Sequence, residues 1–474
     1  MSFTSLEFAA FFALVFALYW FVTQRNLRLQ NLLILVGSYV FYGWWDERFL
    51  ILIAISSIAD YLIGLRIGKA EDDKVRLRWL WLSLAINLGM LGFFKYFNFF
   101  LDNLNGVSSV LGMGLDWPTL NIILPVGISF YTLQTLSYTF DVYKRKIEPT
   151  TNYIAFFAYV SFFPQLVAGP IERATNLLPQ FYRPRVFSYE GAADGVRQIT
   201  WGLFMKMVVA DNLGPHIDEL FVNPDAFNTS TTWLLVYMMA VQIYCDFAGY
   251  SNIAIGTARI LGFDLMKNFD YPFFSRNISE MWQKWHISLI TWFNDYVIVW
   301  LKGRTKLKVM RNIVVIFLIT GIWHGANWTY ISWGLANALL FVPLIYVKRR
   351  KHRKPVAHGR IFPSWSEAFF MLWTVIQCTL IFILFRSPTL THAAHIYGEL
   401  LDFGDIGMVR IPDFRFAFVA LLFVVEWFQR EQDHGLDFTR RKPATWLRWV
   451  IYISVVYLTL LYGGQASDFV YFQF

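Results

Sequence analysis

The stretch RNIVVIFLITGIWHGANWTYISWGLANALLFVPLIYVK, Arg311 to Lys348, is apolar along most of its length, and at its midpoint stands GIWHGANW, Gly321 to Trp328. On either side of that midpoint, runs near residues 309–323 and 328–347 approach or reach the ~17–25 apolar residues that carry a helix across a bilayer. Two spans joined by a very short turn set the class of the whole chain. Composition agrees: of 474 residues, 56% are hydrophobic and 19% aromatic, and only 16% are charged, too few to coat a soluble domain of this length. The expectation is an all-α, polytopic integral membrane protein, with residues 1–474 forming a single membrane-embedded domain.

Lysine and arginine gather between the apolar runs, at Arg25 and Arg28, Arg66 to Arg78, Lys144 to Lys146, Lys302 to Arg311, Lys348 to Lys354 and Arg440 to Lys442. Such clusters mark cytoplasmic loops. The segments Asp102 to Leu120, Asn212 to Thr232 and Ser387 to Val409 carry almost none and are assigned outside. The net charge of +8 is then a matter of topology, and no nucleic-acid partner is expected. The first apolar run, Phe8 to Phe21, has no basic residue ahead of it and no small-residue cleavage site after it, so it reads as a span and not a leader. Cys245 and Cys378 lie in apolar surroundings and suggest neither a disulfide framework nor a thiolate metal cluster.

Spans near 7–22, 30–45, 49–65, 78–97 and 120–140 alternate from an outside N-terminus. The alternation then fails. Ile154 to Ala168 and Ile199 to Ala210 both lie between an inner and an outer loop, so the pair includes a half-span. Trp282 to Trp300 carries Lys284, His286, Asn294 and Asp295, and it cannot face lipid along its length. Polar backbone at membrane depth is tolerated only when buried in protein or lining a wet cavity, so residues 154–330 should surround one. Spans near 309–323, 328–347, 366–386, 411–428 and 446–463 complete the bundle.

Of the eight histidines, only His286 and His324 lie in or beside apolar segments, where an ionisable side chain is costly and is a functional candidate by default. The plainer alternative is a histidine bonded across a helix interface. For His324, Gly321 and Gly325 leave room for another chain or a ligand, and Trp323, Asn327 and Trp328 crowd the same turn. A neutral imidazole there can take a proton from a hydroxyl or a water. Asp246 and Asn252, in YCDFAGYSN, read either as tunnel-lining or as buried structural groups. Pro125 and Gly127 read as a bend in a span. No metal-ligand spacing and no nucleotide loop of the familiar kinds is present, so no metal is expected.

The runs ILPVGISFYTLQTLSYTFDVYK (Ile123 to Lys144), FPQLVAGPIER (Phe163 to Arg173), QIYCDFAGYSNIAIG (Gln242 to Gly256), EMWQKWHISLITW (Glu280 to Trp292), GIWHGANWTYISWG (Gly321 to Gly334) and the C-terminal DFVYFQF resemble the membrane-bound O-acyltransferase family. Within it they are most similar to the branch of alginate and peptidoglycan O-acetyltransferases and teichoic-acid D-alanyl transfer proteins. The resemblance implies about eleven spans plus re-entrant or half-span helices around a central tunnel, with a catalytic core at about 120–347. It implies that His324, of the WHG motif, is catalytic, and that His286, of WHIS, is a second important polar residue on another wall of the cavity. Asp246, Asn252, Trp323 and Asn327 are the substrate-binding candidates.

The resulting expectation is an enzyme of the inner (plasma) membrane that moves an acetyl group from cytoplasmic acetyl-CoA to an extracytoplasmic polysaccharide, alginate or similar. Acetyl-CoA is the donor substrate, and no cofactor is expected. The outer loops are too short for a carbohydrate-binding domain, so a periplasmic or membrane-anchored acetyltransferase partner is expected to deliver the group to sugar. The alternatives are D-alanyl transfer to teichoic acids and a non-enzymatic acyl or polysaccharide transporter.

Overall fold

A computed structural model of the protein describes every residue except Leu115, Lys302, Arg304, 347–353, 411–412, Arg441 and 465–474. The DFVYFQF motif, His352 and most of the basic run Lys348 to Lys354 therefore lie outside the described residues. Among the described residues the chain is helical and has no strand, the arrangement in which each segment satisfies its own backbone groups at membrane depth. Among the described residues seven helices are long and apolar enough to cross a membrane, and Leu6–Val22 and Ile287–Trp300 are shorter apolar helices. The chain is a multi-pass membrane protein.

One compact unit comprises Met1–Tyr189 with Ala258–Leu265. It holds α1 (Leu6–Ala17), α2 (Leu27–Gly43), α3 (Phe49–Lys69), α4 (Asp73–Leu91), α5 (Phe97–Val110), α6 (Ile128–Tyr143), α7 (Tyr153–Val160) and the single turn α8 (Ala174–Leu177). A π-helical turn, Gly92–Tyr96, joins α4 and α5 end to end. Polar side chains on α3, α4 and α6 satisfy one another away from lipid. Asp60 accepts from Ser83 Oγ at 2.6 Å and from Asn87 Nδ2 at 2.8 Å, and Asn87 Oδ1 accepts from Ser56 Oγ at 2.7 Å and Thr135 Oγ1 at 3.3 Å.

The run 120–140 departs from the sequence reading, because helix begins only at Ile128. Gly127 sits at φ 75°, a left-handed conformation that glycine adopts without penalty, and a Cβ there would lie 2.9 Å from the Leu166 carbonyl oxygen. Pro125 and Gly127 thus start a helix; they do not bend one. The run Ile154 to Ala168 contains the expected half-length helix: α7 ends at Val160, and the chain then turns through bonds from Gln165 and Leu166 N–H to the Phe162 carbonyl.

The second unit comprises Glu190–Thr257 and Met266–Phe474. Here α9 (Tyr189–Leu203) continues through a π-helical segment, Phe204–Ala210, into α10 (Asp211–Val222). Ile199 to Ala210 is therefore the middle of a longer helical run. It is followed by α11 (Thr229–Ile260), whose most apolar window is 83% buried inside the protein. The sequence reading assigned no span to α11, which carries Gln242, Asp246 and Asn252 within its apolar run. The run 282–300, which the sequence excluded as an ordinary lipid-facing span, is not one helix but falls into α12 (Ile278–Lys284) and α13 (Ile287–Tyr296). The rest of the unit is α14 (Lys306–His324), α15 (Trp328–Tyr346), α16 (Trp365–Arg386), α17 (Leu390–Leu401), α18 (Ala417–Gln429) and α19 (Thr445–Tyr462).

Helices α14 and α15 form the hairpin foreseen from the opening stretch, and two glycines set how closely they pack. A Cβ on Gly321 would lie 2.4 Å from the Tyr330 carbonyl oxygen, and one on Gly334 would lie 2.3 Å from that of Phe317. Backbone cannot yield as a flexible side-chain tip can. Gly321→Ala is expected to destabilise the protein by about 1–3 kcal/mol through overpacking. Gly89→Ala, on α4 with no atom within 4 Å, is the control that should leave the melting temperature level or slightly raised. Equal melting temperatures for the two variants in detergent would overturn the close-packing account.

Candidate functional site

Two breaks in helix build the site, both in the second unit. The first is the end of α14. Gly325 is extended, at φ −170°, so the helix stops at His324. Asn327 then organises the turn: its Nδ2 donates to the Pro388 carbonyl at 2.8 Å, and its Oδ1 accepts from the Thr329 N–H at 3.0 Å at the start of α15. A Cβ on Gly325 would lie 2.2 Å from the Tyr330 ring. The space that Gly321 and Gly325 leave is therefore filled by α15 itself. The tight return brings Trp333 against the His324 ring, with centroids 5.1 Å apart and planes at 87°. Phe385 of α16 closes a second side at 5.1 Å, and Trp323 a third at 5.0 Å. His324 is 4% exposed, at the carbonyl end of its helix, where the aligned dipoles favour a developing positive charge.

The second break lies between α12 and α13. His286 stands there at φ 45°, ψ 50°, a left-handed conformation that is rare outside glycine and costs roughly 1–2 kcal/mol. Two backbone bonds pin it: Asp270 N–H to the Lys284 carbonyl and Ile287 N–H to the Asn268 carbonyl, both 2.9 Å. His286 is 1% exposed. Its ring lies edge-to-face with Phe247 of α11, centroids 4.6 Å apart, and 6.0 Å from the centroid of Trp323. Trp323 is thus in ring contact with both imidazoles, and it joins two positions that the sequence places on different elements.

The surroundings are aromatic. Trp282 donates from Nε1 to Asn337 Oδ1 at 3.0 Å and packs on Trp333 at 5.6 Å. The Nε1–H of Trp333 is buried and has no hydrogen-bond partner among the described residues. Buried donors are rarely left so, and an acceptor atom brought beside His324 would satisfy it. On the flank of α12, Arg276 grips Glu280 with two guanidinium nitrogens, at 2.8 and 3.0 Å, and lies 3.4 Å from Glu367. Burial works against the charged form of Glu280, yet Arg276 and Lys284 hold its carboxyl below the usual range.

The remaining candidates, Asp246 and Asn252, make polar contacts on α11. Asp246 meets Lys206 Nζ at 2.7 Å, and the same ammonium lies 2.7 Å from Asp211. Asn252 donates to the Ala248 carbonyl at 2.8 Å and accepts from Gln198 at 3.0 Å. Asn268, Phe247, Trp333 and Phe385 belong to the site but were not singled out from the sequence. Trp333 lies inside a quoted motif, whereas Asn268 is in a loop with no hydropathy signal. Among the described residues, Asp225, His395 and Glu399 bring possible metal-ligand atoms within 4.8 Å of one another, but they lie at the surface, and His395 Nε2 is bonded to Asp225 at 2.7 Å.

Comparison with known proteins completes the assignment. A probable alginate O-acetylase of Pseudomonas aeruginosa is 41% identical over 85% of this chain and 75% of its own length. One from Pseudomonas putida is 34% identical over the whole of both chains. A peptidoglycan O-acetyltransferase of Helicobacter pylori is 34% identical over 68% of this chain and 66% of its own. The model of the membrane-bound O-acyltransferase family matches residues 144–387, a segment that carries His286, His324 and the rings that contact them. With its multi-pass helical fold and this match over half its length, the chain is an O-acyltransferase and belongs to the membrane-bound O-acyltransferase family.

Proposed function

We propose that this O-acyltransferase takes an acetyl group from cytoplasmic acetyl-CoA and passes it across the inner membrane for O-acetylation of an extracytoplasmic polysaccharide of the alginate type, with residues 1–474 acting as one catalytic domain. The observation that carries the reading is the pair of buried imidazoles joined through Trp323 inside an aromatic enclosure. In this reaction His324 accepts the proton of the acceptor hydroxyl as its oxygen attacks the thioester carbonyl. The C–O bond forms, the C–S bond breaks, and the imidazolium returns the proton to the departing thiolate. The low polarity of the box keeps water from competing for the acyl group. The orphan N–H of Trp333 is suited to the oxygen that gains charge during attack. His286 orients the donor, and Trp323 lines the path between them. Asn327 shapes the turn that carries His324, while Asp246 and Asn252 support α11 behind Phe247.

The alginate O-acetylases among the relatives support acetyl transfer to a polymer. The short outer loops support delivery through a periplasmic or membrane-anchored acetyltransferase. Purified protein given acetyl-CoA labelled in the acetyl group should release free CoA and transfer label to such a partner, and only with the partner to polymer. Turnover with a carrier-protein D-alanyl thioester but none with acetyl-CoA would instead place the chain with the teichoic-acid D-alanyltransferases, of which one from Bacillus subtilis is 29% identical over 49% of this chain. Efficient acetylation of polymer by the chain alone would remove the partner from the scheme.

A further inference from the structure

The geometry points to Asn268 as the residue that positions His286 and sets its tautomer, a role that rests on the reading of His286 as part of the reacting site. Asn268 is fully buried, in the loop between α11 and α12. Its Oδ1 lies 3.1 Å from His286 Nδ1, 2.9 Å from Ser288 Oγ and 3.4 Å from the Ser288 backbone nitrogen. Its Nδ2 donates to Ser251 Oγ of α11 at 3.1 Å. The carbonyl of the same residue accepts the Ile287 N–H at 2.9 Å.

These contacts settle the direction of the hydrogen bond. A backbone N–H can only donate, so the amide atom facing Ser288 is the oxygen, and the Ser251 contact then falls to the amide nitrogen. An amide oxygen can only accept, so His286 Nδ1 carries the hydrogen. In the neutral ring Nε2 then holds the lone pair. A neutral imidazole with that tautomer presents an acceptor at the tip of its ring, the part that reaches furthest from the backbone. The left-handed backbone at His286 aims the ring, and the bond to Asn268 stops it rotating about its side-chain torsions. Asn268 thus links three elements at one point: α11 through Ser251, α13 through Ser288, and the imidazole between α12 and α13.

A side-chain substitution isolates the amide, because the backbone bond from Ile287 survives it. Asn268→Ala should lower kcat about 10- to 100-fold, the scale of misplacing a reacting group by about an ångström, with KM moving no more than about twofold. Asn268→Asp keeps an oxygen facing Nδ1 and Ser288, and the Ser251 hydroxyl can turn to donate to the other oxygen, so it should retain clearly more turnover than the alanine variant. The deciding measurement is the double-mutant cycle with His286→Ala. If Asn268 acts through the imidazole, Asn268→Ala costs nothing further once His286 is gone. A loss that persists undiminished in the His286→Ala background shows a merely structural amide and overturns the inference, as does parent-level turnover in Asn268→Ala. Should His286→Ala leave no turnover to measure, the aspartate arm decides, and turnover no better than that of the alanine variant overturns it. Parent-level turnover in His286→Ala itself brings down the underlying reading of the site. All variants are compared at equal amounts of monodisperse protein.

Discussion

His324→Ala should lower acyl transfer by about 10²- to 10⁴-fold, the contribution of a well-placed general base. The imidazole stands at the end of a helix, enclosed by Trp323, Trp333 and Phe385. Deleting it leaves a small void between aromatic rings, so a modest loss of stability accompanies the loss of turnover. His324→Gln separates the two effects. Glutamine fills similar space and can hydrogen-bond, but it has no basic nitrogen, so it should restore the melting temperature and not the rate. A glutamine variant with most of the parent activity would make His324 a packing residue, and absence of the alanine variant from the membrane would point the same way. His286→Ala is expected to reduce transfer only in part, through poorer placement of the donor.

Lys206→Met is expected to be the most destabilising substitution, by roughly 3–5 kcal/mol, because removing one member of a buried ionic group leaves its counter-charges uncompensated. The Lys206 ammonium lies between Asp211 and Asp246, 2.7 Å from each, and all three side chains are almost fully buried. Asp211→Asn or Asp246→Asn removes one negative charge and leaves the ammonium with its other carboxylate, so each should cost less than Lys206→Met. Unfolding in detergent, followed by tryptophan fluorescence, ranks the variants. A methionine variant as stable as the parent would mean that the triad does not hold the helices together.

Much of the site was legible because two independent signals fell on the same residues. Histidines are expensive at membrane depth, and only His286 and His324 stood there; the motifs around them pointed to the same pair. What escaped the sequence escaped for physical reasons. The helix α11 is apolar enough to span despite Gln242, Asp246 and Asn252, but that most of it is surrounded by protein was visible only in the fold. That Asp246 needed a partner was readable; that the partner was Lys206 required the fold. The glycines at 321 and 325 signalled close approach, and only the hairpin geometry revealed that α15 is what approaches. Asn268 lies in a connecting loop, where neither period nor hydropathy marks one amide above another.

The π-helical segment between α9 and α10 bears on how the chain enters the bilayer during synthesis. Its wider turn lets the Asp211 N–H reach the Lys206 carbonyl, five residues back, which sets the two side chains one above the other. That ion pair is local, so it forms as soon as the segment coils. Asp246 has no such local relief, and a lone charge at mid-membrane is penalised by about 2.5–3.5 kcal/mol even on the gentlest scale. Only residues 223–228 separate the two long helical runs. The translocation machinery therefore meets a hairpin whose second arm becomes affordable only in the company of its first, and residues 189–260 should leave the insertion channel together, with α11 never lying bare against lipid.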